Sequence, residues 1–197
     1  MPRARTSDTG REIVVISQDE LILRRFESGD SDGVWHLHRS TSQDVGVCGP
    51  EGAWEDDLRN IGEVYMGSGG DFVVAHIGPR LAAMGGLKRF NDDVAEPKRM
   101  RLDPVFQRRG FGRRVLRELE SRAVALGFEW IMLDTTTIQV GAQRPYETAG
   151  YVHRREGILH GYAVLFYEKR LIGQNDPTCP NEGREPNNPV LRCGPGS

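Results

Sequence analysis

A short glycine-containing segment at the start of a long amphipathic helix constrains the fold of this chain more than any other feature. Residues 107–112 read Gln-Arg-Arg-Gly-Phe-Gly, and apolar residues then recur at intervals of three and four as far as Leu126. Gly127 stands where a helix C-cap belongs. The first turn of a helix has unpaired backbone N–H groups, which bind phosphate oxygens. The pattern therefore predicts a helix over residues 110–126 with an anion site at its beginning.

The segments around this helix predict an α/β domain with a mixed sheet. Apolar runs bounded by turn residues predict strands at about 21–26, 72–77, 81–87, 98–102, 130–133, 151–155 and 163–169. Helix signals predict further helices at about 31–39, 54–61 and 138–149, and residues 40–53 are predicted as a loop. Because the long helix joins strands 98–102 and 130–133, these two strands are predicted to be parallel.

The length of 197 residues predicts one domain rather than two. We assign residues 20–172 to it, with residues 1–19 as an N-terminal extension. Residues 173–197 hold five of the eleven prolines and few apolar side chains, so they are predicted to be a disordered tail.

Several classes of location and cofactor are excluded by the composition. No apolar run approaches the roughly 20 residues of a membrane helix, and no apolar stretch follows the basic N-terminus. We therefore predict a cytoplasmic protein without a membrane partner. Three scattered cysteines predict free thiols, and no residue spacing predicts a metal site.

The charge around the glycine segment indicates a diphosphate ligand. Arg108, Arg109, Arg113 and Arg114 surround it with positive charge. Nucleic acid is the first alternative, but the net charge of −2 argues against such a partner.

A dinucleotide-binding fold is the second alternative. Asp134 ends the next strand about where a ribose-binding acid would lie. However, a polar stretch separates the preceding strand from Gly110, and Val115 takes the place of the third glycine.

On these residues the chain resembles the GNAT superfamily of N-acetyltransferases, whose signature is Gln/Arg-x-x-Gly-x-Gly/Ala between the fourth strand and the third helix. Residues 107–112 match it fully, and residues 139–151 resemble a second family element. In that element Gln139 replaces the usual Asn, Pro145 the usual Leu and Tyr151 the usual Phe.

The resemblance covers residues 20–171 and implies a fold and a donor. The expected fold is a single domain with a mostly antiparallel sheet of about six to seven strands, a splayed central parallel pair and about four flanking helices. The implied donor, as co-substrate, is acetyl-CoA. The residues expected to bind it are Met100, Arg101, Leu102, Gln107, Arg108, Arg109, Gly110, Phe111, Gly112, Arg113 and Gln139.

Two residues are candidates for proton transfer. Aminolysis of a thioester needs a neutral amine, a stabilised oxyanion and a proton for the thiolate. Glu96 stands at the family offset of the base of the histone-acetylating branch, with Asp93 and His76 as alternatives. Tyr146 matches the tyrosine that lies near the coenzyme sulfur in the family, which makes it the candidate acid.

The acceptor is left open by the sequence. Small-molecule amines and protein amines both fit, and a homodimer is compatible with the chain. Acids around residues 55–57 are interpreted either as a pocket for a cationic amine or as an ordinary acidic first helical turn. His36 and His38 are predicted to be surface residues. A non-catalytic acyl-CoA-binding sensor is the alternative function, and a dinucleotide oxidoreductase is a more distant one.

Overall fold

A computed structural model of the protein describes residues 21–45, 55–137, 145–159 and 161–171. Seven strands form one sheet in the order β1-β2-β3-β4-β5-β7-β6. The strands are β1 (Leu21–Arg25), β2 (Asp71–Ile77), β3 (Arg80–Arg89), β4 (Val94–Leu102), β5 (Trp130–Thr136), β6 (Val152–Leu159) and β7 (Tyr162–Arg170). The helices are α1 (Ser31–Val45), α2 (Asp56–Arg59) and α3 (Phe111–Ala125), and a π-helical turn spans Gly62–Met66. Residues 145–148 are also helical.

All neighbouring strands are antiparallel except the central pair, β4 and β5. That pair is joined only at Val94 with Trp130 and Ala95 with Ile131, after which the two strands separate. Pro97, which has no N–H to donate, lies two residues after the last paired position. The expected splayed parallel pair is therefore confirmed, and it opens a cleft along the second half of β4.

Each face of the sheet has its own apolar core. On one face α3 packs against β2, β3 and β4, in a core that contains Val115, Leu119 and Ile131. On the other face α1, α2 and the π-helical turn pack through residues such as Leu37 and Tyr65. Strand β3 is buried over seven consecutive residues because both cores cover it.

The element limits differ from the sequence prediction in two places. Helix α1 continues to Val45, so the predicted loop was wrong for residues 40–45. Part of the reason is local, because the Ser40 and Thr41 hydroxyls donate to the Leu37 carbonyl at 3.1 and 2.8 Å and stay inside the helix. Strand β4 begins at Val94 rather than Lys98, which places Glu96 inside the strand.

Most of the predicted helix over residues 138–149, the rest of the predicted loop and the two terminal segments lie outside the described residues. Within the described residues, no helix has the length and apolar character needed to cross a bilayer.

Candidate active site

The loop before α3 is shaped by its own side chains and by two left-handed residues. The Asp103 carboxylate accepts the Val105 N–H at 3.0 Å and starts a 3₁₀ turn over Pro104–Phe106. Arg108 and Gly110 then adopt φ values of 62° and 78°, and α3 starts at Phe111. No side chain caps this helix, so its first amides are left to an external acceptor.

The surroundings of these amides suit a diphosphate. A Cβ placed on Gly110 or Gly112 would meet no atom within 4 Å, so there is open space beside both glycines. Gln107, Arg108, Arg109 and Arg113 are all exposed around that space. Phe111 differs, because its side chain is buried in the α3-side core and only its backbone can face a ligand. Arg114 points away, since its guanidinium donates to the Leu21 carbonyl at 3.0 Å.

A β-bulge interrupts β4 beside the cleft. Lys98 pairs with Gly86 of β3 and Arg101 pairs with Met84, so two residues of β4 oppose the single residue Gly85. Arg99 takes the extra position with a φ of 55°, which is rare for a residue other than glycine. Beyond Ala95 the β5-facing backbone of β4 has no partner in β5, so amides near Met100 are available to a ligand.

Asp57 of α2 holds the bulge in place. Arg99 donates to both of its oxygens, at 3.0 and 2.9 Å, and the Tyr65 hydroxyl donates to it at 2.6 Å. Lys88 lies 3.8 Å from the same carboxylate. Burial opposes ionisation of Asp57, but these donors outweigh it and hold the pKa of the carboxyl below its ordinary value.

Glu96 belongs to a half-buried ionic group that lies between the separated strands. The Lys98 ammonium contacts Glu96 at 2.6 Å and Asp134 of β5 at 2.8 Å. Burial raises the pKa of the Glu96 carboxyl, Lys98 lowers it, and the nearby Asp134 raises it again, so that the net shift is upward. A carboxylate with a raised pKa is a stronger base than an ordinary glutamate.

Tyr146 lies between the charges of β4 and β5. Its ring packs against Tyr151 and Tyr167 at centroid distances of 5.8 and 6.1 Å. Burial raises the pKa of the Tyr146 phenol, Asp134 adds to this, and Arg101 works in the opposite direction. The phenol therefore stays protonated at neutral pH and retains a proton to donate.

The structure does not bring the alternative bases to the cleft. Asp93 is exposed in the turn before β4. His76 is on β2, two strands away from β4, where it lies 3.4 Å from the Asp30 carboxylate. Gln139 lies outside the described residues.

His38 corrects one sequence prediction. It was expected at the surface, but only 3% of it is exposed, and its Nε2 contacts the Glu55 carboxylate at 3.0 Å. Burial lowers the pKa of His38, so the ring is neutral at pH 7. The acids Glu55 and Asp57 are thus occupied by other groups of the protein and do not form an open acidic pocket. His38 and Lys98 are the site residues that sequence reasoning missed, since neither stands in a recognisable motif.

Comparison with known proteins agrees with this geometry. The model of the acetyltransferase (GNAT) family matches residues 34–151. An N-acetylaspartate synthetase of Danio rerio is 27% identical over 114 residues, which are 57% of this chain and 40% of that protein. The chain thus spans less than half the length of this curated relative.

Two solved structures show the same fold. A GNAT-family acetyltransferase of Staphylococcus aureus Mu50 superimposes with a TM-score of 0.68 at 20% identity, over 77% of this chain and 99% of that one. The protein yncA of Salmonella typhimurium, solved with its cofactor acetyl-CoA, superimposes with a TM-score of 0.64 at 14% identity, over 81% and 99% of the two chains.

Proposed function

The chain belongs to the acetyltransferase (GNAT) family, and on that premise we propose that it moves an acetyl group from acetyl-CoA to a primary amine by direct attack in a ternary complex. It is an acyltransferase by family, and acetyl-CoA is the donor that the family uses. The observation that carries the proposal is the cleft between β4 and β5. It has an uncapped helix start at one end and the largely buried acid Glu96 on β4.

Three parts of the chain are proposed to bind the donor. The backbone of Met100, Arg101 and Leu102 pairs with the pantetheine arm in place of the missing β5 partner. The diphosphate lies at the first turn of α3, against residues 107–113. Gln139, expected as a further contact, stays a prediction.

Glu96 is proposed as the base that makes the amine nucleophilic. An alkyl ammonium has a pKa near 10, so it must lose a proton before its nitrogen can attack. The raised pKa of Glu96 makes it better matched to this transfer, directly or through one water. The neutral nitrogen then forms a C–N bond to the thioester carbonyl carbon, and the carbonyl oxygen becomes an oxyanion.

Completion of the reaction needs a donor to the oxyanion and a proton for the sulfur. A backbone N–H at the bulge, near Met100, is proposed to stabilise the oxyanion. The C–S bond then breaks, the Tyr146 phenol gives its proton to the thiolate, and the nitrogen loses its second proton through water to the Tyr146 phenolate, which restores the phenol. The products are an N-acetyl amine and free coenzyme thiol.

The acceptor class is the least determined part of this function. The Danio rerio relative is named for the synthesis of N-acetylaspartate, which favours a small-molecule amine over a protein amine. A cytoplasmic location and a homodimer also stay proposals.

Release of thiol from acetyl-CoA over a panel of amines tests the function. The panel contains amino acids, polyamines, aminoglycosides and lysine peptides, and a blank without acceptor corrects for reaction with the cysteines of the chain. We expect acceptor-dependent release. Tight binding of acetyl-CoA with no release on any acceptor would contradict acetyl transfer and favour a binding sensor.

A further inference from the structure

Among the described residues, the Arg101 guanidinium beside the cleft has no carboxylate in direct contact. We propose that the acceptor is a small amino acid and that the Arg101 guanidinium binds its carboxylate. This rests on the proposed acetyl transfer and specifies the substrate of the same site.

Arg101 lies on the wall of the cleft that α1 and α2 cover. It pairs with Met84, whose side chain belongs to the core on that face, and its charge acts on His38 of α1 and Tyr146. The β-bulge produces this placement, because it lets Lys98, Arg99 and Arg101 all face the same side of β4.

The other cations on this wall already have carboxylate partners. Lys98 contacts Glu96 and Asp134, and Arg99 is bidentate with Asp57. Lys88 is also next to Asp57.

Arg101 differs from these three cations because no carboxylate of the described residues contacts its guanidinium. Its NH1 donates to the carbonyl of Met100 at 3.0 Å, and its buried Nε has no partner among the described residues. A guanidinium cannot escape this situation by losing its proton, so a buried one is stabilised by an anion that enters with the substrate.

The charges of the cleft are separated in the way an amino acid requires. Glu96 and Asp134 share one lysine, which leaves this group with an excess of negative charge that suits an ammonium. Arg99, Lys88 and Arg101 stand against Asp57 and Glu55, which leaves an excess of positive charge that suits a carboxylate. Asp134 and Arg101 both act electrostatically on the Tyr146 phenol, so the two charged groups face the same part of the cleft.

The coenzyme phosphates are a poorer match for Arg101. The exposed Arg108, Arg109 and Arg113 already surround the phosphate site at the start of α3. Arg101 is on β4, before the 3₁₀ turn that leads to that site, and its electrostatic neighbours are on α1 and around Tyr65.

The test compares acceptors that differ only in the carboxylate. The kcat/KM values for L-aspartate and L-alanine are measured beside those for L-alaninamide and ethylamine, with acetyl-CoA as donor. We expect the wild-type protein to prefer at least one of the amino acids over both carboxylate-free amines by about 100-fold. In Arg101→Gln, which keeps the backbone that is proposed to pair with the pantetheine arm, that amino acid loses about 100-fold in kcat/KM, and the loss for the amide and the amine is at least about tenfold smaller.

Two further variants control for folding and charge. Arg101→Lys keeps the charge without the bidentate geometry, so it should recover part of the preference. Arg39→Gln removes an exposed cation of α1 and should leave the preference unchanged. The dissociation constant of acetyl-CoA is measured for each variant. A value for Arg101→Gln within about twofold of the wild-type value shows that this variant is folded.

The outcomes separate the two proposals. Acetylation of amines without any preference for a carboxylate, or an equal loss on all acceptors in Arg101→Gln with acetyl-CoA binding intact, overturns the Arg101 assignment and leaves acetyl transfer standing. Absence of transfer to every amine in the larger panel overturns the acetyl transfer itself.

Discussion

Burial and Asp134 raise the pKa of Glu96, whereas Lys98 lowers it. Substitution of Glu96 tests whether this residue is the base. Glu96→Gln keeps the size of the side chain and removes its ability to accept a proton. We expect kcat to fall by about 100-fold or more, with the dissociation constant of acetyl-CoA within about twofold of the wild type. Single-turnover kinetics and equilibrium binding measure the two quantities.

The pH profile identifies the same group independently. A base works when it is deprotonated, so the wild-type kcat/KM should fall as the pH drops through the Glu96 pKa, which burial raises above that of an ordinary glutamate. The variant should lack this acid limb. A profile that keeps the limb in Glu96→Gln would assign the ionisation to another group.

Tyr146 is tested by the dependence on the leaving group. In Tyr146→Phe the ring and its packing against Tyr151 and Tyr167 remain, but the proton for the thiolate is lost. We expect kcat with acetyl-CoA to fall by about 10- to 100-fold. The defect should shrink for an acetyl donor whose thiol is more acidic, since that thiolate leaves without a proton. An equal defect for both donors would point to a packing role.

At the scale of elements, a substitution at the start of α3 should change coenzyme binding without changing the stability of the fold. Gly112→Glu adds a side chain at a Cβ position with no atom within 4 Å outside the local backbone, and an acidic residue suits the first turn of a helix, so folding should tolerate it. We expect the KM for acetyl-CoA to rise at least about tenfold because the added carboxylate repels the proposed diphosphate. The KM for acetyl-pantetheine, which lacks the diphosphate, should not change.

Gly29→Glu is the matched control for this substitution, because it adds the same charge. Its Cβ position is also open, and Gly29 has no positive φ, but it lies in the turn before α1 rather than at α3. Unchanged KM values are expected in this variant. An unchanged KM for acetyl-CoA in Gly112→Glu as well would argue against a diphosphate at α3.

The β4 bulge depends on the contact between Asp57 and Arg99. Asp57→Asn leaves the Arg99 guanidinium, 17% exposed, without its carboxylate. We expect the free energy of unfolding to fall by about 3 kcal/mol at pH 7, measured by urea denaturation. Asp92→Asn removes a carboxylate that is 96% exposed and paired with Arg89, and it should change the free energy by less than about 1 kcal/mol.

The sign of the pH dependence distinguishes this ion pair from simple packing. The pKa of Asp57 is lower in the folded protein than in the unfolded chain, so its stabilisation is present above the unfolded pKa and is lost as pH falls through the folded one. The difference between wild type and Asp57→Asn should therefore be constant from pH 8 to about pH 5 and shrink only below about pH 4. A constant difference at all pH values would indicate packing.

At the scale of the whole molecule, local sequence patterns predicted the helices and strands. The arrangement of side chains in the candidate site depends instead on contacts between residues that are distant in the sequence. The α3 helix and the parallel pair followed from short-range periodicity and the glycine positions. The burial of His38 and the Lys98 bridge from Glu96 to Asp134 depend on residues that are 17 and 36 positions apart in the chain. A single sequence carries no local signal for such pairs, and the Arg99 bulge likewise has no glycine to mark it.

The proposed domain limit at residue 172 can be tested by deletion. All seven strands and both cores lie between Leu21 and Leu171, and the Leu171 N–H donates to the Glu129 carbonyl at 2.8 Å, which ties the end of β7 to β5. Deletion of residues 173–197 should therefore shift the thermal midpoint by less than about 2 °C, since 1 kcal/mol corresponds to about 2–4 °C in a protein of this size.

Deletion of residues 162–197 is the contrasting variant, because it removes β7 from between β5 and β6 and should abolish the cooperative transition. A loss of more than about 5 °C in the shorter deletion would show that residues 173–197 stabilise the domain, and the proposed boundary would then be wrong. The protein that lacks residues 173–197 should also be assayed for thiol release. A rate equal to that of the full chain would show that every group needed for the reaction lies before residue 173.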